Sequence, residues 1–257
     1  MIMRSEWRTT GGADDAARIE ARRAARTGLG VAIATSAYGV SFGALAVASG
    51  LSVWQACVLS LVMFTGGSQF AFVGVIAAGG LAAAPAAIAS AALLGVRNVA
   101  YGMRMAPVVG TSLWRRVAAM PFTIDESTAV SLAQTSGRAR TLGFWVTGIG
   151  IYLGWNLTTF AGALLGDVLG DPKAYGLDAA AAAAFLALLW PRLRRRQAIA
   201  VGIAAAAVAT VLTPVLVPGL PVLVAAAVAV AVGWFNWLGR EEAPVEPADV
   251  PEREGLP

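Results

Sequence analysis

The chain has 257 residues, of which 58% are hydrophobic and only 13% charged, with a net charge of +4 and a mean hydropathy of +0.69. A soluble domain is about 45–50% apolar and about 25% charged, so this composition excludes an ordinary soluble fold and predicts an all-α, polytopic membrane protein. With no His, a single Lys (Lys173) and a single Cys (Cys57), His-based triads, HExxH metal sites, Walker A loops and intrachain disulfides are excluded as well.

Residues 1–27 are a polar, mixed-charge lead ending in Arg22, Arg23 and Arg26, too long for the basic region of a cleaved signal peptide. Residues 13–26 suit a helix lying on the membrane surface, with a plain polar tail as the other reading. A first span is predicted over 28–49, long enough to cross an apolar core of about 30 Å. After the turn "SGLSVW", a second span covers 53–78 and is interrupted at Gly66 and Gly67. A third apolar stretch covers 81–96. Arg97 and Asn98 interrupt it before 99–113, which carries Arg104. Arg115 and Arg116 follow, then "PFTIDESTAV" with adjacent Asp125 and Glu126, then Arg138 and Arg140.

The next span is 142–166, followed by a turn-rich loop with Asp167, Asp171 and Asp178. A shorter span over 174–190 leads into the four Arg of "PRLRRRQ". Residues 198–217 and 220–238 then form a hairpin around "VPGLP". The tail 240–257, rich in Pro and Glu, is expected to be disordered and cytoplasmic, which leaves 28–239 as the transmembrane domain.

The basic residues are almost all Arg, set in short clusters between apolar runs. That is the pattern of loops facing an anionic cytoplasmic leaflet, not of a nucleic-acid surface. Placing every cluster inside makes both termini cytoplasmic and requires an even number of crossings between Arg26 and Arg115. Four is the favoured count, for a total of about seven to eight crossings, some of them broken helices. "SFGALA" (41–46) before Gly50-Leu51-Ser52 is echoed by "FAGALLG" (160–166) before Gly176-Leu177-Asp178. An internal repeat of the kind transporters carry is one reading of this echo, and chance in a low-complexity stretch is the other.

Several polar groups stand out against this background. Asp125 and Glu126 are either a water-bathed helix cap or an acid pair inside the membrane, where charge is costly. Thr123 or Asp125 suits the N-cap position, which would put the carboxylates at the positive end of a helix. Arg97 and Arg104, seven apart, share a helix face. They suit either neutralisation of the acid pair and capture of a carboxylate or snorkelling to the interface. "FTGGSQF" puts Ser68 and Gln69 at a glycine break, the usual construction of a transporter site, with a packing notch as the alternative. Asn156, Thr158 and Thr159 fall in mid-span with the same ambiguity. Gly39/Gly43, Gly150/Gly154 and Gly162/Gly166 read as close helix packing.

"SFGALAVASGLSVWQA", "FTGGSQFAF", "GVRNVAYGMRMAP", "FTIDESTAV", "WNLTTFAGALLG" and "GLDAAAAAAFLALLWPRL" occur in that order. Together they resemble the AzlC family of branched-chain amino acid permeases over residues 28–238. The resemblance implies a bacterial inner-membrane exporter of leucine, isoleucine or valine type substrates that works with a small AzlD-type membrane subunit. It also shifts the acid pair toward a functional role. Asn98 stands where the family commonly has His, so an imidazole role does not carry over.

The expectation is a non-enzymatic secondary transporter without cofactor or metal, its partners being that subunit, the substrate and the bilayer. A passive channel and a non-transporting scaffold are the alternatives, and a homo-oligomer is left open. Asp125 and Glu126 are expected at a helix N-terminus facing a polar interior within reach of Arg97 or Arg104, one held by charge and the other carrying a proton. Ser68 and Gln69 are expected to line a polar cavity.

Overall fold

The computed structural model describes residues 6–169, 186, 189, 190, 193, 196–217 and 220–235. The loop with Asp171 and Asp178, nearly all of the span expected over 174–190, most of the Arg run at 191–197, the second Gly-Leu turn of the echo and the tail 240–257 lie outside the described residues. The described elements are helices and 3-10 turns, with no strand among them. The chain divides into two compact units, Met1–Ala187 with Val217–Leu220, and Leu188–Leu216 with Pro221–Pro257. The second unit contains the apolar helix Arg196–Leu212 and most of Leu220–Phe235.

Among the described residues, Asp15–Ala48, Leu81–Val109 and Gly137–Val168 are long and apolar enough to cross a membrane, and all three belong to the first unit. The polar lead does not lie flat. It is continuous with the first span in α1 (Glu6–Ala48), because residues 15–27 are good helix formers without a breaker. Ala21 and Ala24 pack on Ala139. Glu20 accepts hydrogen bonds from the Thr135 amide (2.6 Å), the Thr135 hydroxyl (2.8 Å) and the Ser136 amide (3.2 Å), which ties α1 to the turn that begins α8 (Gly137–Leu169).

α1 and α8 are the frame of the first unit, and they run parallel: Gly150 faces Ala32, Gly154 faces Ser36 and Gly166 faces Ala44. Where these helices touch, backbone meets backbone. A Cβ added at Gly43 would stand 2.6 Å from the Ala163 amide, and one at Gly150 2.8 Å from the Ala32 methyl. In lipid, where apolar burial gives no driving force between helices, such close contact supplies the van der Waals attraction. The packing pairs residues of α1 with residues roughly 119 further along, the same offset that separates the glycines of the "GAL" echo.

The span expected over 53–78 does not cross. α2 (Val53–Val62) is started by a capping box between Ser52 and Gln55 and runs antiparallel to α8: the Trp54 ring lies by Phe160, while Leu61 O accepts from the Tyr152 hydroxyl. The helix breaks at Met63–Thr65, just before the glycines, and α3 (Gly66–Gly79) turns back. Gln69 Nε2 reaches both Met63 O (2.7 Å) and Ser60 O (3.3 Å). Nine residues of straight helix would separate Gln69 from Ser60 by about 13.5 Å, so the chain must fold over. After a 3-10 turn, α4 (Ala84–Gly95) and α5 (Arg97–Val109) form one long span hinged at Val96. Between Arg26 and Arg115 there are therefore two crossing-length helices and not the four favoured from sequence. The count stays even.

A second fold-back follows. α6 (Leu113–Ala119) and the 3-10 turn Met120–Phe122 carry the chain alongside α8, with Ala119 against Phe144, Phe122 by Trp145 and Tyr152, and Ile124 in one cluster with Ile151. α7 (Asp125–Leu132) then returns, so that Val130 meets Gly143. The Arg clusters at 22–26, 115–116 and 138–140 thus share one end of the unit, since Glu20 binds the start of α8 and Thr141 reaches Val108 O.

Leucine at Gly43 would force α1 from α8. The expected result is a loss of at least about 1–3 kcal/mol, read as a lowered melting temperature in detergent. Gly30→Leu, where nothing lies within 4 Å of a Cβ, should melt like the parent.

Candidate functional site

The two fold-backs enter from opposite ends of the unit, and their tips meet level with Ile151–Trp155, near the middle of α8. At the first tip, Gly66 lies against the Trp155 ring, 3.3 Å from a Cβ placed on it. At the second, Phe122 packs on Tyr152 and Ile124 joins the cluster of Ala32, Ile151 and Trp155. Within "PFTIDESTAV", Thr123, Ile124, Ser127, Thr128 and Val130 are buried, Asp125 and Glu126 are half-buried, and Pro121 and Ala129 are exposed.

Each tip satisfies its own backbone differently. At the first, Gln69 is fully buried and its amide is spent on the break: Nε2 holds the two carbonyls of α2, and Oε1 accepts the Trp155 indole N–H at 2.9 Å. It is a structural clamp with no free group for a cavity. Ser68, one residue earlier, is 1% exposed and its hydroxyl has no partner. At the second tip the cap residue is Ile124, neither Thr123 nor Asp125. The Thr123 hydroxyl turns back to Ala119 O (2.8 Å), and Ser127 closes the turn by accepting from the Ile124 amide (3.2 Å) and donating to Phe122 O (2.6 Å). Asp125 is displaced from capping because its carboxylate has a stronger partner.

That partner is Arg97. Its Nη1 is 3.0 Å from Asp125 Oδ2, both side chains being about 30% exposed or less. Its Nη2 lies over the first tip, 3.1 Å from a Cβ placed on Gly67. The single guanidinium thereby bridges the N-terminal ends of α3 and α7, each of which carries about half a positive charge. Asp125 and Glu126, both in the first turn of α7, supply the negative charge that makes this gathering of positive ends tolerable. Adjacent on the helix, their side chains diverge by about 100°, so Arg97 takes Asp125.

The structure brings Arg97, Asp125, Gly66, Gly67 and Ser68 together, with Glu126 beside Asp125. Asn98 follows Arg97 with an unpartnered side-chain oxygen. Arg104 is exposed on α5, and Thr158 turns its hydroxyl to Ser36 O (2.6 Å), tying α8 to α1. Thr159 is fully buried. Asn156 donates to Tyr152 O (2.7 Å). Sequence reasoning missed Tyr152, whose ring is flanked edge-on by Phe64 (4.7 Å) and Phe122 (5.5 Å). The signal was present: each tip contains a Phe-Thr pair, Phe64-Thr65 and Phe122-Thr123.

A family model described as AzlC protein matches residues 30–169, a stretch that includes both tips, Arg97 and all of α8. No curated protein and no solved structure matches the chain.

Because Gln69 satisfies two carbonyls and an indole while Ser68 bonds nothing, Gln69→Leu should cost about 1–3 kcal/mol of stability for each buried group orphaned, read as a lower melting temperature. Ser68→Ala should leave it unchanged. Thermal melts followed by tryptophan fluorescence would check both, and Trp155 reports the Gln69 change directly.

Proposed function

The chain belongs to the AzlC family, and from that premise we propose that it is a secondary transporter of branched-chain amino acids, of the leucine, isoleucine or valine type. The observation that carries the reading is the Arg97–Asp125 pair at the meeting point of two opposed, broken hairpins. Irregular backbone at this depth is tolerated only where protein or a polar path surrounds it, and transporters place their sites at such breaks. The sequence carries no nucleotide-binding motif, so in this reading the energy comes from an ion gradient or from a partner. Export from a bacterial cell through its inner membrane, together with a small AzlD-type subunit, is the direction and setting we assign. The Arg clusters gathered at one end favour a cytoplasmic face there.

The charges suggest how coupling works. Arg97 holds Asp125, with Glu126 beside it in the first turn of α7. The carboxylate of an arriving amino acid would compete with Asp125 for the guanidinium, and in this reading one of the two acids carries the coupled proton. A passive pore is the second reading, because two opposed half-helices ending at a common level also suit a channel. A channel would give flux that does not saturate.

In proteoliposomes, leucine flux should saturate and follow an imposed pH gradient. Asp125→Asn or Glu126→Gln should abolish the gradient dependence or shift its pH profile. Flux unaltered across pH in both variants would reduce the pair to a structural cap. For orientation, cysteine introduced at Arg138 should react only with thiol reagents that enter the cell.

A further inference from the structure

α3 begins with two residues that lack side chains. Its first N–H groups have no carbonyl one turn back to bond, and Thr65 at the cap position makes no side-chain hydrogen bond to them. The missing side chain of Gly66 is filled by the Trp155 ring, and that of Gly67 by the Arg97 guanidinium, which therefore sits close to this first turn. A Cβ on Gly67 would stand 3.1 Å from Arg97 Nη2, so any larger residue would press on the guanidinium.

Two further donors border the same space without an acceptor. The Ser68 hydroxyl is buried and unpartnered, and it faces Gly95, at 3.7 Å from a Cβ placed there, two residues before Arg97. Arg97 Nε, also buried, has no acceptor although Nη1 holds Asp125. Unsatisfied buried donors are expensive, and here a helix N-terminus, a hydroxyl and a guanidinium leave theirs in one place. An acceptor-rich, compact anion answers all of them. The start of α7 offers no such opening, because Ser127 already closes its turn and Asp125 makes it negative.

We propose that the first turn of α3, Gly66 to Ser68 beneath the Arg97 guanidinium, is the seat of the substrate's carboxylate, an assignment that rests on the transport reading and specifies it. The carboxylate bonds the Gly66 and Gly67 amides and the Ser68 hydroxyl, and it competes with Asp125 for Arg97. Ser68 and Gly67 are then binding residues, while Gln69 positions them by holding the break.

The test uses the full chain, co-produced with the proposed small subunit, in lipid nanodiscs for binding and in proteoliposomes for uptake. The probes are L-leucine, L-leucinamide, which lacks the carboxylate, and 4-methylpentanoate, which keeps the carboxylate and branched chain without the amine. The seat predicts that 4-methylpentanoate competes with leucine and leucinamide does not. Ser68→Ala should weaken leucine and 4-methylpentanoate alike by about tenfold, the loss of one hydrogen bond to a charged group, at an unchanged melting temperature. Gly67→Ala, whose methyl would stand in the seat, should weaken both at least as much. Leucinamide competing as well as leucine, or unchanged affinity in Ser68→Ala, overturns the seat while saturable leucine uptake by the parent keeps the transport reading. A parent that neither binds nor takes up leucine overturns both.

Discussion

A guanidinium half-way along an apolar helix cannot face hydrocarbon without a cost of about 2.5–3.5 kcal/mol even on the mildest scales, and the core of the first unit is organised around removing that cost for Arg97. The remedy is Asp125 at 3.0 Å, but a carboxylate at that level is no more welcome alone than the cation. Bringing it there requires the chain to re-enter the core and turn at Phe122–Ile124. The tip so formed exposes backbone that must be satisfied, which Ser127 does. The mirror requirement holds at Met63–Thr65, where Gln69 does the same. Arg97 thus lies against both departures from regular helix.

The frame and the tips are held by different forces, and the difference bears on motion. α1 and α8 touch through glycines whose replacement would bring atoms into collision. Contacts of that kind are short-ranged and stiff, and they resist sliding. The tips rest on one ion pair and on Tyr152 between Phe64 and Phe122, a clasp of edge-on rings worth about 0.5–1.5 kcal/mol per pair. Under the proposed transport reading, an incoming carboxylate that competed for Arg97 would act directly on the ion pair. A ligand can shift such an arrangement only through different contacts in its two states, and Arg97 is the residue that touches both tips.

Much of this was legible in the residue order. The membrane character followed from the scarcity of charge, the helical class from the need to satisfy every backbone group within the lipid, and the common end of the Arg clusters from their placement between apolar runs. Arg97 and the acid pair stood out because charges in apolar surroundings need a reason. The fold-back of 53–79 was not legible: a Gly-Gly pair in an apolar run fits a straight span with a notch as well as a hairpin tip. Thr158 and Gln69 looked like site residues for the same chemical reason that makes them good clamps, since a polar group in a span serves a backbone carbonyl as readily as a ligand. Arg104 shares a helix face with Arg97 in projection, but the tips reach only Arg97.

Hydropathy and the spacing of charges are properties of short windows of chain, so residue order alone pointed to a membrane protein built of helices, and to a common end for the Arg clusters at 22–26, 115–116 and 138–140 of the first unit. The pairing of Arg97 with Asp125, the two opposed tips and the flanking of Tyr152 join segments far apart in the chain. Their partners were chosen by which groups could reach one another once α1 and α8 had packed, and by the low dielectric that leaves no buried charge unanswered. Geometry of that kind exists only in the folded molecule.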